Sequence, residues 1–391
     1  MSDISHFFSP VFPENFDLPS TLHDQQFARL INIHTSEGFP DLEGIDIVLI
    51  GVLEDRNGSD NAGAHLAADA VRKYLYRLYG GSFAPRIADL GNIAPGHSTE
   101  DTYFALRSTL DALIRRNIVP VIIGGTQDLT YPQFLGYKDL EQTINVVTVD
   151  SVFDLGNPDE DITNKSYLGK IILHQPNFLF NYSNIGYQSY LVDQNSLQMM
   201  NRLYFDVYRL GQVRDKIEEA EPIIRQADML SFDISAIKHS DAPAHPFPSP
   251  NGFYAEEACQ MMRYAGMNDK LSSIGLYEIN PKFDDHGKTA HLAAQMIWCF
   301  LEGFYNRKND FPNRTSPDYT RFHVILEDEK HEINFYKSKK SDRWWMEIPY
   351  PPHKDLKFER HTLIPCSYKD YELAVNNEIP DRWWQTYQKL S

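Results

Sequence analysis

The stretch VVTVDSVFDLG, Val146 to Gly156, decides the fold, because an apolar run from Ile144 to Val149 delivers Asp150 at its end and a second acid, Asp154, four residues later. A continuous apolar run of this length, bounded by polar residues, reads as a strand buried on both faces, and open α/β sheets place their ligands at the carboxyl ends of such strands. The acid spacing suits a metal site. Ser151, Val152 and Phe153 between the acids carry no good side-chain ligand for a divalent cation.

Working outward, β-branched runs alternate with helical periodicities. Ile45 to Leu53, Ile118 to Gly125, Met229 to Ser235 and Leu271 to Asn280 read as strands, and Ala64 to Tyr79, Asp101 to Asn117, Asp215 to Ala227 and Ala255 to Gly266 as helices. A last long helix ends near Tyr305. Strands alternating with helices predict a three-layer α-β-α domain with a mostly parallel sheet, over residues 1–310.

From about Asn309 the character changes, with KNDFPNRTSPDY as a proline-marked linker. Residues 311–391 then read as a small aromatic-rich extension. RFHVILED and HEINFYK suit a hairpin, RWWMEIPY a third strand, and PYPPH a stop. Two short helices follow, one capped by Ser367 and one with Pro380 in its first turn. The pairs Trp344/Trp345 and Trp383/Trp384 suit the core of a small module; the sharper reading makes them contact residues for a protein partner.

Composition narrows the function. The chain has 391 residues, 42% hydrophobic and 13% aromatic, which suits a folded globular protein with a large core. A formal net charge of -17 repels phosphate backbones, so nucleic acid is not an expected partner. Three widely spaced cysteines indicate neither a disulfide framework nor a thiolate zinc site. With no signal-peptide pattern and no run of eighteen apolar residues, a cytoplasmic protein without membrane insertion is expected.

Four strand ends carry polar residues: GGTQD (Gly124 to Asp128), DSVFD (Asp150 to Asp154), SFDIS (Ser231 to Ser235) and YEINP (Tyr277 to Pro281). In their order and wording these resemble the ureohydrolase family, which includes arginase, agmatinase and formimidoylglutamase and carries GGDHS, DAHxD, SxDxD and E-V/I-NP motifs. IADLGNI (Ile87 to Ile93) and DDHGKTAHLAA (Asp284 to Ala294) also resemble family segments, so the resemblance spans roughly Ile45 to Tyr305. It implies an arginase-like fold, homo-oligomers, and two manganese ions whose bridging water attacks a guanidinium or formimino carbon.

Matched residue by residue, the family's first metal-binding histidine falls on Gln127, its second on Val152 and its last aspartate on Ser235. Asp150, Asp154 and Asp233 remain, and Glu278 matches the substrate-facing glutamate. The resemblance therefore implies a degraded site, holding no metal or a single Mn, Mg or Ca on three carboxylates and the Gln127 carbonyl, rather than a full dinuclear Mn centre. Three clustered carboxylates demand a cation, a shared proton or incoming basic groups. The bland alternative is that these aspartates cap helices or bind loop amides. His239, His245, His286 and His291 are candidates for substitute ligands.

The expected function is a non-catalytic family member acting as a binding or protein-assembly component. The alternative is a formimidoylglutamase- or agmatinase-type hydrolase of C–N bonds in formimino or guanidino substrates, working with one metal.

Overall fold

The computed structural model describes residues 4–16, 22–157, 159–312, 316–326, 332–350 and 356–390. Ten strands form the central sheet: β1 (Phe8–Ser9), β2 (Asn32–Ile33), β3 (Ile47–Val52), β4 (Ile87–Ile93), β5 (Val119–Ile123), β6 (Ile144–Val149), β7 (Leu179–Tyr187), β8 (Asp206–Arg209), β9 (Met229–Asp233) and β10 (Ser273–Tyr277). Their order is β1-β4-β3-β5-β10-β9-β6-β7-β8, with β2 beside β4. All neighbours run parallel except β1 against β4.

Helices cover both faces, so the central strands have no solvent side. Ile47 and Leu49 point into one layer, with helices Ala67–Leu75, Ala255–Met267 and Lys288–Tyr305, while Val48 and Ile50 point into the other, under helix Thr99–Ile114. Alternation of side chains along each strand sends successive apolar residues to opposite layers, and this is why these strands read as unbroken apolar runs. The four strands whose ends carry the polar motifs, β5, β10, β9 and β6, are consecutive neighbours in the sheet. Their carboxyl ends therefore open on one crevice.

Two elements depart from expectation. The helix expected over Asp215 to Ala227 is broken into Leu210–Asp215, a 3-10 turn Ile217–Glu219 and Ala220–Arg225. Lys216 adopts φ -146 between them, and Pro222, which has no N–H to donate, sits in the first turn of the last piece. The second departure is the pair β7 and β8, which extend the sheet beyond β6.

The C-terminal residues form an antiparallel sheet of β11 (Tyr319–Ile325), β12 (Glu332–Ser338), β13 (Trp344–Glu347) and β14 (Leu363–Cys366), followed by helices Tyr368–Val375 and Asp381–Leu390. β14 adds a strand to the expected three. Ser367 accompanies the first helix as expected, its N–H donating to Asp370 at 2.8 Å. Linker residues 313–315 and the proline stop at 351–353 lie outside the described residues.

This extension packs on the α/β domain. Phe180 of β7 joins its core, the Arg225 guanidinium donates to the carbonyls of Trp344 and Cys366, and Arg360 pairs with Asp228 at 2.5 Å. The tryptophans do not form a common contact surface: Trp344, Trp345 and Trp383 are buried, because a small sheet needs large side chains in its core, and only Trp384 is exposed. Among the described residues no helix is long and apolar enough to cross a membrane.

Candidate metal centre

The chain leaves β5 through Gly124 and Gly125, both at positive φ (91° and 76°). A Cβ at Gly125 would sit 2.3 Å from Leu129 and 2.5 Å from the Glu54 carbonyl, so only glycine fits this turn. The turn brings the backbone N–H of Gln127 within 2.7 Å of Glu278 Oε1, and Glu278 returns its own N–H to Gly125 O at 3.0 Å. Asn164 and Asn61 also donate to the Glu278 carboxylate, at 3.2 and 2.7 Å. Glu278 is thus fixed by amides from three loops.

Beside it, Asp150, Asp154 and Asp233 each present a carboxylate oxygen within 4.8 Å of the others. Asp150 accepts the Val152 N–H on Oδ1 at 3.0 Å, and Asp233 accepts the Ser235 N–H on Oδ1 at 2.6 Å. The amide-binding role anticipated for these acids is therefore real for Asp150 and Asp233, where it uses one oxygen of each. Asp150 Oδ2 is buried without a partner, as are both amide atoms of the Gln127 side chain. Asp154 and Glu278 both hold left-handed backbone, φ 49° and 66°.

The electrostatics are those of crowded acids. Burial, then the Asp154 charge, raises Asp150 well above the carboxylate range. Burial and the Asp233 charge push Asp154 up to about 8. Burial and the charges of Asp150 and Glu278 raise Asp233, against the opposing pull of His245. Of the four histidines considered, only His245 joins the centre, its Nε2 lying 3.6 Å from Glu278 Oε2. Burial lowers its pKa, but the bond to Glu278 and the nearby charges outweigh that and hold it above its ordinary value. His286 is exposed beside Asp285, and His291 stacks on Tyr74.

These groups open into a cavity of about 640 Å³, roofed by the segment Pro246 to Pro250 and edged by Leu191 and Phe247. The donor set fits one hard cation: three carboxylates, with orphaned oxygens on Asp150 and Gln127, all oxygen ligands. The Val152 side chain carries no donor atom, and Ser235 offers a hydroxyl. Asn61 and Asn164, which hold Glu278, carry no signal in the sequence, since each sits in a polar loop without periodicity.

The arginase family model matches residues 45–302. The chain is 24% identical to a formimidoylglutamase of Staphylococcus haemolyticus over 297 residues, covering 72% of this chain and 94% of that protein. It is 24% identical to one of Salmonella agona over 262 residues, 64% and 83% respectively. Among solved structures, Trypanosoma cruzi formiminoglutamase with Mn2+ superposes with a TM-score of 0.63 at 23% identity, over 69% of this chain and 99% of the other. Bacillus subtilis formimidoylglutamase gives 0.66 at 21%, over 75% and 96%. The α/β domain is therefore of the arginase-like class. The chain belongs to the arginase family.

Proposed function

We propose that this chain is a non-hydrolytic member of its family, a binding or assembly component whose carboxylate centre holds a single divalent cation. The observation that carries this reading is Val152: the position of the second histidine offers no donor, so a second cation has nothing to fix it beside the shared aspartates. Without two cations there is no clamp on a bridging water, and the attack that two-metal hydrolases make loses its nucleophile.

A second reading has its own support. The three aspartates cluster, and Asp154, Asp233 and Glu278 line a cavity large enough for a small molecule. On that basis the chain is a one-metal hydrolase of linear amidines, of the kind its formimidoylglutamase relatives are named for, with Glu278 facing the substrate.

Elemental analysis of Mn-loaded protein, beside an Asp150→Ala/Asp233→Ala variant, tests the centre. Our reading expects about one Mn per chain in the parent and none in the variant. Assays for formamide, urea and ammonia release from formimino and guanidino compounds decide between the two readings. Mn-dependent turnover abolished by the double substitution overturns the non-hydrolytic one.

A further inference from the structure

A second cavity, of about 430 Å³, lies at the opposite end of the sheet, among residues that precede β5, β6, β9 and β10. Four cationic side chains line it: Arg115 after the helix Thr99–Ile114, Lys270 ahead of β10, Arg307 after the helix Lys288–Tyr305, and Arg360 from the extension. Only two carboxylates, Asp228 and Asp269, line it with them.

Those two carboxylates are already engaged. Asp228 is shared, with Oδ1 2.5 Å from Arg360 Nη2 and Oδ2 3.0 Å from Lys270 Nζ, and Oδ2 also accepts the Asn145 N–H at 2.8 Å. Asp269 accepts the N–H groups of Asn309 and Asp310 and lies 3.6 Å from Arg343. Arg115 pairs with Asp111 at 2.8 Å. Arg307 has no carboxylate in ion-pair range among the described residues; its guanidinium donates to the carbonyls of Gly266 and Leu271, at 2.9 and 3.1 Å, and lies over the Phe304 ring.

Carbonyl dipoles orient a guanidinium without neutralising it, so the lining holds a surplus of two positive charges in a partly dry recess. Burial brings Arg307 down to about 10 against the opposing charge of Asp269, and burial, with a smaller push from the Arg360 charge, brings Lys270 down to about 8. A compact dianion matches the surplus, and guanidinium forks with an ammonium match the oxygens of a phosphoryl group.

We propose that this cavity is a binding site for a phosphate group, free or esterified to a small molecule, gripped by Arg307, Arg360, Lys270 and Arg115. Because Arg360 belongs to the extension while the other three belong to the α/β domain, the bound anion ties the two together at the base of the sheet.

Isothermal titration of the full chain with inorganic phosphate, at fixed ionic strength in chloride and neutral pH, tests this. The expected result is saturable binding to one site, weakened about tenfold by Arg307→Gln, the loss of one charge-assisted hydrogen bond. Arg115→Gln removes a half-exposed cation, leaves folding intact and weakens binding in the same direction. Lys165→Met, at the mouth of the other cavity, leaves the binding unchanged. Glycerol 3-phosphate that competes with phosphate shows that an ester is taken, and failure to compete shows a site for free phosphate; either assigns the ligand. No saturable binding by the parent chain overturns the proposal, as does binding indifferent to Arg307→Gln and Arg115→Gln or abolished by Lys165→Met.

Discussion

Gln127 donates its backbone N–H to Glu278 Oε1 at 2.7 Å, so the residue expected at the family's first histidine position holds the glutamate through its main chain and leaves its side chain unbonded. The geometry around Glu278 consequently does not depend on which side chain stands at 127. The frame of the centre and its ligand set are separable, and the ligand set can be rebuilt on the frame.

Gln127→His, Val152→His and Ser235→Asp together should raise the manganese bound from about one to about two per chain, read by elemental analysis after dialysis. All three positions line the cavity, which leaves room for the new side chains. Stoichiometry still near one in the folded triple variant would mean that more than the three ligands has been lost.

The carboxylate cluster sets a pH dependence in metal-free protein. A carboxyl whose pKa rises from 3.8 to about 8 on folding retains its proton in the folded state while the unfolded state has lost it, so stability falls as pH rises through that window. Asp154→Asn removes this group's share. The variant's melting temperature, measured with chelator present, should exceed the parent's by a margin that is small near pH 4, grows toward pH 8 and then levels off. Added Mn2+ should abolish the margin in the parent's favour; a margin flat in pH contradicts the assignment.

In the extension, the two members of one tryptophan pair should behave as opposites. Trp383 is wholly buried and donates its indole N–H to Glu347 O at 2.9 Å, so Trp383→Ala should cost about 3–5 kcal/mol in urea unfolding. Trp384 is 43% exposed, and Trp384→Ala should stay within about 0.5 kcal/mol. Trp384 is also the substitution with which to test partner capture, since it leaves the fold standing.

Arg343, near the start of β13, reaches the fully buried Asp310 and donates to Met267 O at 3.1 Å, at the end of the helix Ala255–Met267. Arg343→Ala leaves Asp310 without its cationic partner, retaining hydroxyl support from Ser341, and should destabilise by about 3–5 kcal/mol. Limited proteolysis should then release the extension while the α/β domain survives. Simultaneous loss of both would show that the extension is needed to keep the larger domain folded.

The parallel sheet was legible because its central strands are apolar on both faces, and the site was legible because four polar strand ends carry family wording. β7 was not legible. Its run LFNYSNIGY places Asn181, Ser183 and Asn184 inside the protein, where Asn181 and Ser183 donate to Asp206 and Asn184 donates to Thr148 Oγ1 and Val152 O. Asparagine and serine favour turns when their side chains bond locally, and only tertiary partners make them strand residues here. His245 illustrates the same limit at the site: its sequence neighbourhood differs little from that of His239, and the proline-rich fold of residues 243–250 alone brings it to Glu278.

The left-handed backbone at Asp154 and Glu278 has a kinetic consequence. Such conformations cost about 1 kcal/mol or more for residues other than glycine, and here main-chain hydrogen bonds hold them, from Glu278 N–H to Gly125 O and from Leu168 N–H to Asp154 O. The mould is cast when the chain folds, so a cation that enters finds its seat waiting. Capture should therefore run at an on-rate set by diffusion and ion dehydration, with little change in heat capacity, because no segment has to fold around the guest.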